Sequence, residues 1–265
     1  MKILVPLNGS PKSEAVIPFV TNLALRWKAE VLTLTVVDPV GGAGDPIVPL
    51  VTERFYRENV AAGEDYIHSM SARFANVSVR PFCRVGSPED CITGLAEEEA
   101  CDLIILGSHG HSGFMRWLCG SVAEGLVRHS PCPVLLVRNF MPVQFRQILI
   151  PVDETETCRR VPALIPAPFL SPETQLTLLH CCEPALDWKM EDPRMHLEST
   201  STPAPEGICQ WLQTHDCDLI CMATHGRGGL EHLWKGSITE EVARASNCPV
   251  LVFPPALFPP QEAAS

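Results

Sequence analysis

Short apolar runs alternate with amphipathic stretches along the whole chain. "KILVPL" (2–7) reads as a buried strand. Ser10-Pro11 then caps a helix running to about Trp27, with proline in its first turn. "EVLTLTVVD" (30–38) is rich in β-branched residues and predicts a second strand. Residues 38–51 form a Gly/Pro loop and 52–74 a helix, followed by a strand over "VSVRPFCRV" (77–85). "SPEDCITGLAEEEA" opens a third helix at Ser87. "DLIILG" is a strand, 120–130 a helix, and "PVLLVR" a final strand. This β-α-β alternation predicts an α/β fold: an open, mostly parallel, doubly wound sheet with helices on both faces.

The pattern then starts again. Residues 101–138 align without a gap on 217–254, and 16 of 38 positions are identical. The offset there is 116, but "KILVPLNGS" (2–10) matches "QILIPVDET" (147–155) at an offset of 145. The chain is thus a tandem of two five-stranded units, the second shortened by 29 residues between its first strand and its glycine loop. The expected boundaries are 1–140, 146–255 and a proline-rich tail over 256–265 that continues from the last strand outside any sheet. Strands at 146–152, 174–180, 218–223 and 249–253 and helices at 205–215 and 236–246 survive the shortening. The missing part corresponds to one helix and one strand, leaving a loop over 183–205. Three prolines in "RRVPALIPAPFL" (159–170) argue against a regular helix there.

Composition narrows the class. The 265 residues are 46% hydrophobic and 19% charged, which suits packed cores and not a disordered chain. The net charge is −11, with −3 on residues 1–145 and −8 on 146–265. Two acidic halves argue against nucleic acid as a partner. No apolar run reaches the ~18 residues of a membrane span, and "MKILVPLNGS" is not a secretory leader, so the expected location is the cytoplasm. Twelve cysteines lie mostly inside apolar runs without paired C-x-x-C knuckles, so they read as buried reduced thiols and no metal site is expected.

The candidate chemistry sits in "GSHGHSGFMRWLCGS" (107–121). Gly107, Gly110, Gly120 and Ser121 follow a strand end and open a helix. Bare backbone lets an anion approach closely, turning N–H groups form an anion nest, and the helix N-terminus favours negative charge. A plain strand-to-helix turn with a Gly-Ser cap would have the same sequence. The pattern recurs as Ala223, Gly226, Gly236 and Ser237. His109 and His225 share a loop position and serve either the turn or a phosphate; Arg116 is within sequence reach of the same loop.

These stretches, with "CRVGSPEDCI" and the "CPVLLV" and "CPVLVF" tails, resemble the universal stress protein family, and G-x2-G-x9-G-S resembles its ATP-binding branch. The resemblance covers 1–139 and about 146–254. It implies adenine and ribose contacts at Pro6, Asn8 and Val36, and phosphate contacts at Leu106, Gly107, Gly110, Gly120, Ser121 and Val122. In the second half it implies Pro151, Asp153, Gly226, Gly236 and Ser237, with Cys181 on the adenine side. Asn8 departs from the family's Asp but can still accept from a ribose hydroxyl; Ala223 departs from its first glycine. The implied ligand is ATP, or AMP or ADP, with Mg2+ accompanying it. The implied assembly is a homodimer whose two domains also pair within one chain.

No G-x-x-x-x-G-K-[ST] loop, G-x-S-x-G elbow or general base beside the glycines is present, so no catalytic residue is assigned and the chain is not expected to be an enzyme beyond slow hydrolysis. The first reading is a nucleotide-binding stress-response protein. The alternative is a stress scaffold or interaction protein with vestigial sites.

Overall fold

A computed structural model describes residues 1–38, 53–107, 121–137, 144–190, 192–224, 238–246 and 248–258. The first half runs β1 (Lys2–Pro6), α1 (Pro11–Glu14), α2 (Ile17–Trp27), β2 (Glu30–Val37), α3 (Glu53–Ser71), β3 (Val79–Val85), α4 (Pro88–Glu98), β4 (Leu103–Gly107), α5 (Ser121–His129) and β5 (Val134–Val137). The second runs β6 (Gln147–Val152), α6 (Glu156–Leu164), β7 (Gln175–His180), β8 (Met195–Ser199), α7 (Glu206–Thr214), β9 (Leu219–Ala223), α8 (Ile238–Ala245) and β10 (Val250–Phe253).

All ten strands join one sheet in the order β3-β2-β1-β4-β5-β10-β9-β6-β7-β8. Every neighbouring pair is parallel except β5 and β10. Those two meet antiparallel, with Leu135 opposite Leu251 and Val134 opposite Val252. Five strands from each half therefore continue into one another across a single seam.

Alternation along the buried strands builds a core on each face. Ile3 and Val5 of β1 face one layer, with Phe19 and Leu23 of α2, Ile67 of α3 and Val161 of α6. Leu4 faces the other, with Leu95 of α4, Leu126 of α5, Ile208 of α7 and Val242 of α8. Each layer runs through both halves. On the first layer, Trp27 and Phe145 pack their rings on Phe169, with centroids 4.8 and 4.9 Å apart.

Three expectations need correction. The helix expected from Ser10 to Trp27 is two helices, because Pro18 has no N–H to give and its ring opposes the carbonyl four residues back, at Glu14. The strand expected to be missing from the second half is present: β8 lies within 183–205 and pairs in parallel with β7. Its signal is weak because "MHLES" is short and at the sheet's edge, with His196, Glu198 and Ser199 exposed. Only the helix is lost, and Leu186, Trp188 and Met190 of the β7–β8 connection pack on the same layer as α3. Finally, a regular helix does form at Glu156–Leu164 despite Pro162. It ends two residues after that proline, is capped by Thr155, whose side chain accepts from the Cys158 N–H, and buries Cys158 and Val161.

Of the tail, the described residues 256–258 stay out of the sheet, and they do not simply continue outward. Pro255–Leu257 makes a turn of 3-10 helix that contacts α5 of the first half, and Phe258 is buried in the core. Residues 38–51, expected as a loop, lie outside the described residues apart from Asp38. No helix among the described residues is long and apolar enough to cross a membrane.

Candidate functional site

In each half the chain leaves the central strand towards one side of the sheet and returns on the other. The β1–β2–β3 run and the β4–β5 run diverge from the boundary between β1 and β4. In the second half the corresponding boundary lies between β6 and β9. Beyond the carboxyl ends of the strands at such a reversal, the connecting loops part and leave a crevice where α/β sheets bind ligands.

Pro6 ends β1 opposite Leu34 of β2, and the Leu7 N–H donates to the Leu34 carbonyl at 2.8 Å. Val36 lies near the end of β2, and Leu106 and Gly107 end β4. Pro6, Val36, Leu106 and Gly107 thus share the carboxyl edge of three neighbouring strands, and all four are half-buried. Val122, half-buried, is the second residue of α5, which Ser121 begins. Gly110, Gly120, Gly226, Gly236, Ser237, His109, His225 and Arg116 lie outside the described residues.

The turn after β1 is tightly made. Gly9 has φ +76°, a left-handed conformation that a side chain disfavours. The Asn8 Oδ1 accepts from the Ser10 N–H at 3.1 Å and from the Ser10 hydroxyl at 2.7 Å. Ser10 Oγ in turn accepts from the Ser13 N–H at 3.2 Å and caps α1. The Gly9 N–H donates to Tyr66 Oη at 3.0 Å, and that hydroxyl donates to Glu14 Oε1 at 3.3 Å. Burial, more than the Glu14 charge, raises the Tyr66 pKa above its usual value, so the hydroxyl keeps its proton for this bond.

The second half repeats the turn with a carboxylate. Asp153 Oδ1 accepts from the Thr155 N–H at 2.8 Å and from the Thr155 hydroxyl. Asn8 and Asp153 therefore do the same local work, and an amide oxygen suffices for it. They differ in the atom left over: an N–H2 donor on Asn8, a second carboxylate oxygen on Asp153. Asn8, expected to accept from a ribose hydroxyl, already accepts twice from Ser10. Both lone pairs of its oxygen are engaged, and the side chain offers a donor instead.

Gly107 also has a local reason to be glycine. A Cβ built there would stand 2.9 Å from Val16 Cβ and 3.0 Å from the Lys12 carbonyl oxygen. Its bare Cα lets the α1–α2 segment lie against β4. Ala223 holds the matching place at the end of β9, half-buried, so that approach is not demanded equally in both halves. Cys181, matching Val36, is half-buried, and burial pushes its thiol up to about 11. Pro151 pairs with Leu179 at the same edge.

Sequence reasoning missed Tyr66, which fixes the Gly9 turn from α3, 57 residues away. Only the aromatic's place on the helix could have hinted at it. Among the described residues no group of three or more His, Cys, Asp or Glu side chains could hold a metal ion.

The duplicated strand edges and turns set the stage for comparison with known proteins. The universal stress protein family model matches residues 1–138 and 187–254. This chain belongs to the universal stress protein family. A universal stress protein of Methanocaldococcus jannaschii is 32% identical over 141 residues, spanning 52% of this chain and 82% of that protein. One from Methanothermobacter thermautotrophicus is 35% identical over 148 residues, spanning 52% and 95%. Relatives of that length match about half of this chain. The crystal structure of a universal stress protein from Archaeoglobus fulgidus superposes over 95% of this chain and 97% of its own, with TM-score 0.73 and 19% identity. A Pseudomonas aeruginosa protein described as functionally unknown covers 96% and 92%, with TM-score 0.63 and 19% identity. These two share the fold across both halves of this stress protein.

Proposed function

We propose that this universal stress protein holds an adenine nucleotide at the carboxyl edge of its sheet, in the crevice between β1 and β4, and turns it over slowly or not at all. The observation that carries the reading is positional. Pro6, Asn8, Val36, Leu106 and Gly107, chosen from sequence, fall on the strand ends and turn that border the reversal of the first five strands. Half-buried Pro6 and Val36 suit the face of a base, and the exposed Asn8 amide suits a ribose hydroxyl. The described residues thus fit the base and ribose. Leu106, Gly107, Gly110, Gly120, Ser121 and Val122 complete the proposal as the phosphate contacts, Mg2+ accompanying the phosphates.

Bound there, the nucleotide supplies a phosphoanhydride chain. The protein's part is to bind and orient it. The second crevice, with Pro151, Asp153, Gly226, Gly236 and Ser237, is the weaker site, because Ala223 replaces its first glycine. The two units span 1–140 and 146–255. In this reading the protein works in the cytoplasm as a homodimer, and its acidity disfavours nucleic acid.

The scaffold reading is favoured by one observation: helix packing alone accounts for Gly107. Equilibrium binding of labelled ATP to the full chain separates the two. Saturable binding below millimolar concentration, with or without magnesium, is the expected result. No saturable binding in that range removes the nucleotide and leaves the scaffold.

A further inference from the structure

The opposite edge of the sheet carries a second duplicated feature. Cys101 and Cys132 each precede their strand, β4 or β5, by two residues. Cys217 and Cys248 each precede β9 or β10 by two residues. Both strand pairs are parallel neighbours, and all four side chains pack on the same core layer. Each half thus sets two thiols beside one another at adjacent strand starts.

The two pairs are not equivalent. Cys101 and Cys132 are both buried. Cys217 is half-buried, so solvent reaches the second pair from its side. The Cys217 thiol donates to the Leu219 carbonyl oxygen at 3.3 Å, one strand start away from Cys248. The Ser246 Oγ lies 3.0 Å from Cys248 Sγ, whereas the matching Ser130 Oγ lies 3.8 Å from Cys132 Sγ.

We propose that Cys217 and Cys248 form a peroxide-oxidisable dithiol that closes to an intrachain disulfide, while its duplicate, Cys101 and Cys132, stays reduced. The oxidant is hydrogen peroxide or another small hydroperoxide. The Cys248 thiolate attacks one peroxide oxygen, the O–O bond breaks, and hydroxide leaves to take up a proton as water. The resulting Cys248 sulfenic acid is attacked by the Cys217 sulfur, the S–S bond forms and a second water leaves. Two thiols lose two electrons and two protons, and one peroxide becomes two waters. The ring so closed encloses residues 218–247, including the second glycine loop.

Electrostatics support the difference between the pairs. The neighbouring Cys217 and then Ser246 side chains lower the Cys248 pKa against the opposing effect of burial, and the Cys217 thiol is raised correspondingly. In the first half burial pushes Cys101 up to about 11 and Cys132 to about 12. Only in the second pair is one thiol drawn below the ordinary cysteine value.

The test treats the reduced full chain with a modest excess of hydrogen peroxide, alkylates the remaining thiols and maps peptides without reduction by mass spectrometry. The expected product has lost two hydrogen atoms, links Cys217 to Cys248, carries label on the other ten cysteines and reverts with dithiothreitol. C217S is expected to stop at a sulfenic acid on Cys248 that dimedone traps, and C101S to keep the link. The mapping of unaltered protein stands even if a variant folds poorly. An unreacted chain, a link between any other pair, or a sulfinic acid on Cys248 beside a free Cys217 overturns the proposal. None of these outcomes depends on whether the opposite edge binds nucleotide.

Discussion

Gly107 ends the strand beside the proposed phosphate loop, and its missing side chain is also what lets the α1–α2 segment lie against β4. The two demands can be separated by stability. G107A sets a methyl 2.9 Å from Val16 Cβ and 3.0 Å from a backbone oxygen that has little freedom to move. Overpacking of this kind costs about 1–3 kcal/mol. Urea unfolding without nucleotide is expected to show that loss; a change within about 0.5 kcal/mol would mean the segment yields freely, and the packing account of Gly107 would fail. At this scale the sequence was informative about position and less so about role. "NGS" and "DET" marked matching places after the first strands, but that each oxygen is taken by a residue two places on appears only in three dimensions. Tyr66 was silent because its partner, the Gly9 N–H, is a backbone group that no side-chain pattern reveals.

The elements were largely legible, because buried strands of a parallel sheet read as continuous apolar runs and the repeat supplied each reading twice. β8 was missed for a physical reason. An edge strand is covered on one side only, and Met195 and Leu197 are the apolar pair left among exposed polar neighbours. The 116-residue offset carries Val79, where β3 begins, onto Met195, where β8 begins, so the deletion falls wholly before β8. The connection between halves is also an element-scale device. Leu135 and Leu251 oppose each other across the β5–β10 seam, both fully buried in the same layer. L135A or L251A alone is expected to cost about 2–5 kcal/mol. Because the two side chains are direct cross-strand partners, the double variant is expected to depart from the sum by about 0.5–3 kcal/mol. Simple additivity in a denaturant-based double-mutant cycle would show that the seam is not held by this pair.

For the whole molecule, duplication followed by one deletion leaves two reversals of strand order in a single ten-stranded sheet, one in each half. Both reversals open on the carboxyl ends of their strands, the edge at which α/β sheets bind ligands. The two cysteine pairs lie at the strands' amino ends, so a nucleotide and an oxidant would act on opposite edges. The repeat made the tandem architecture readable from the sequence. The joining of both halves was implied only by the family resemblance, because pairing between distant strands depends on which edges remain open after each half folds. The claim on which the functional account rests is that the first reversal holds a nucleotide. A crystal structure of the full chain grown with excess ATP tests it most directly. The account predicts nucleotide density in the β1–β4 crevice, with the base beside Pro6 and Val36. A crevice left empty at saturating ATP, or a nucleotide bound elsewhere on the molecule, would contradict it.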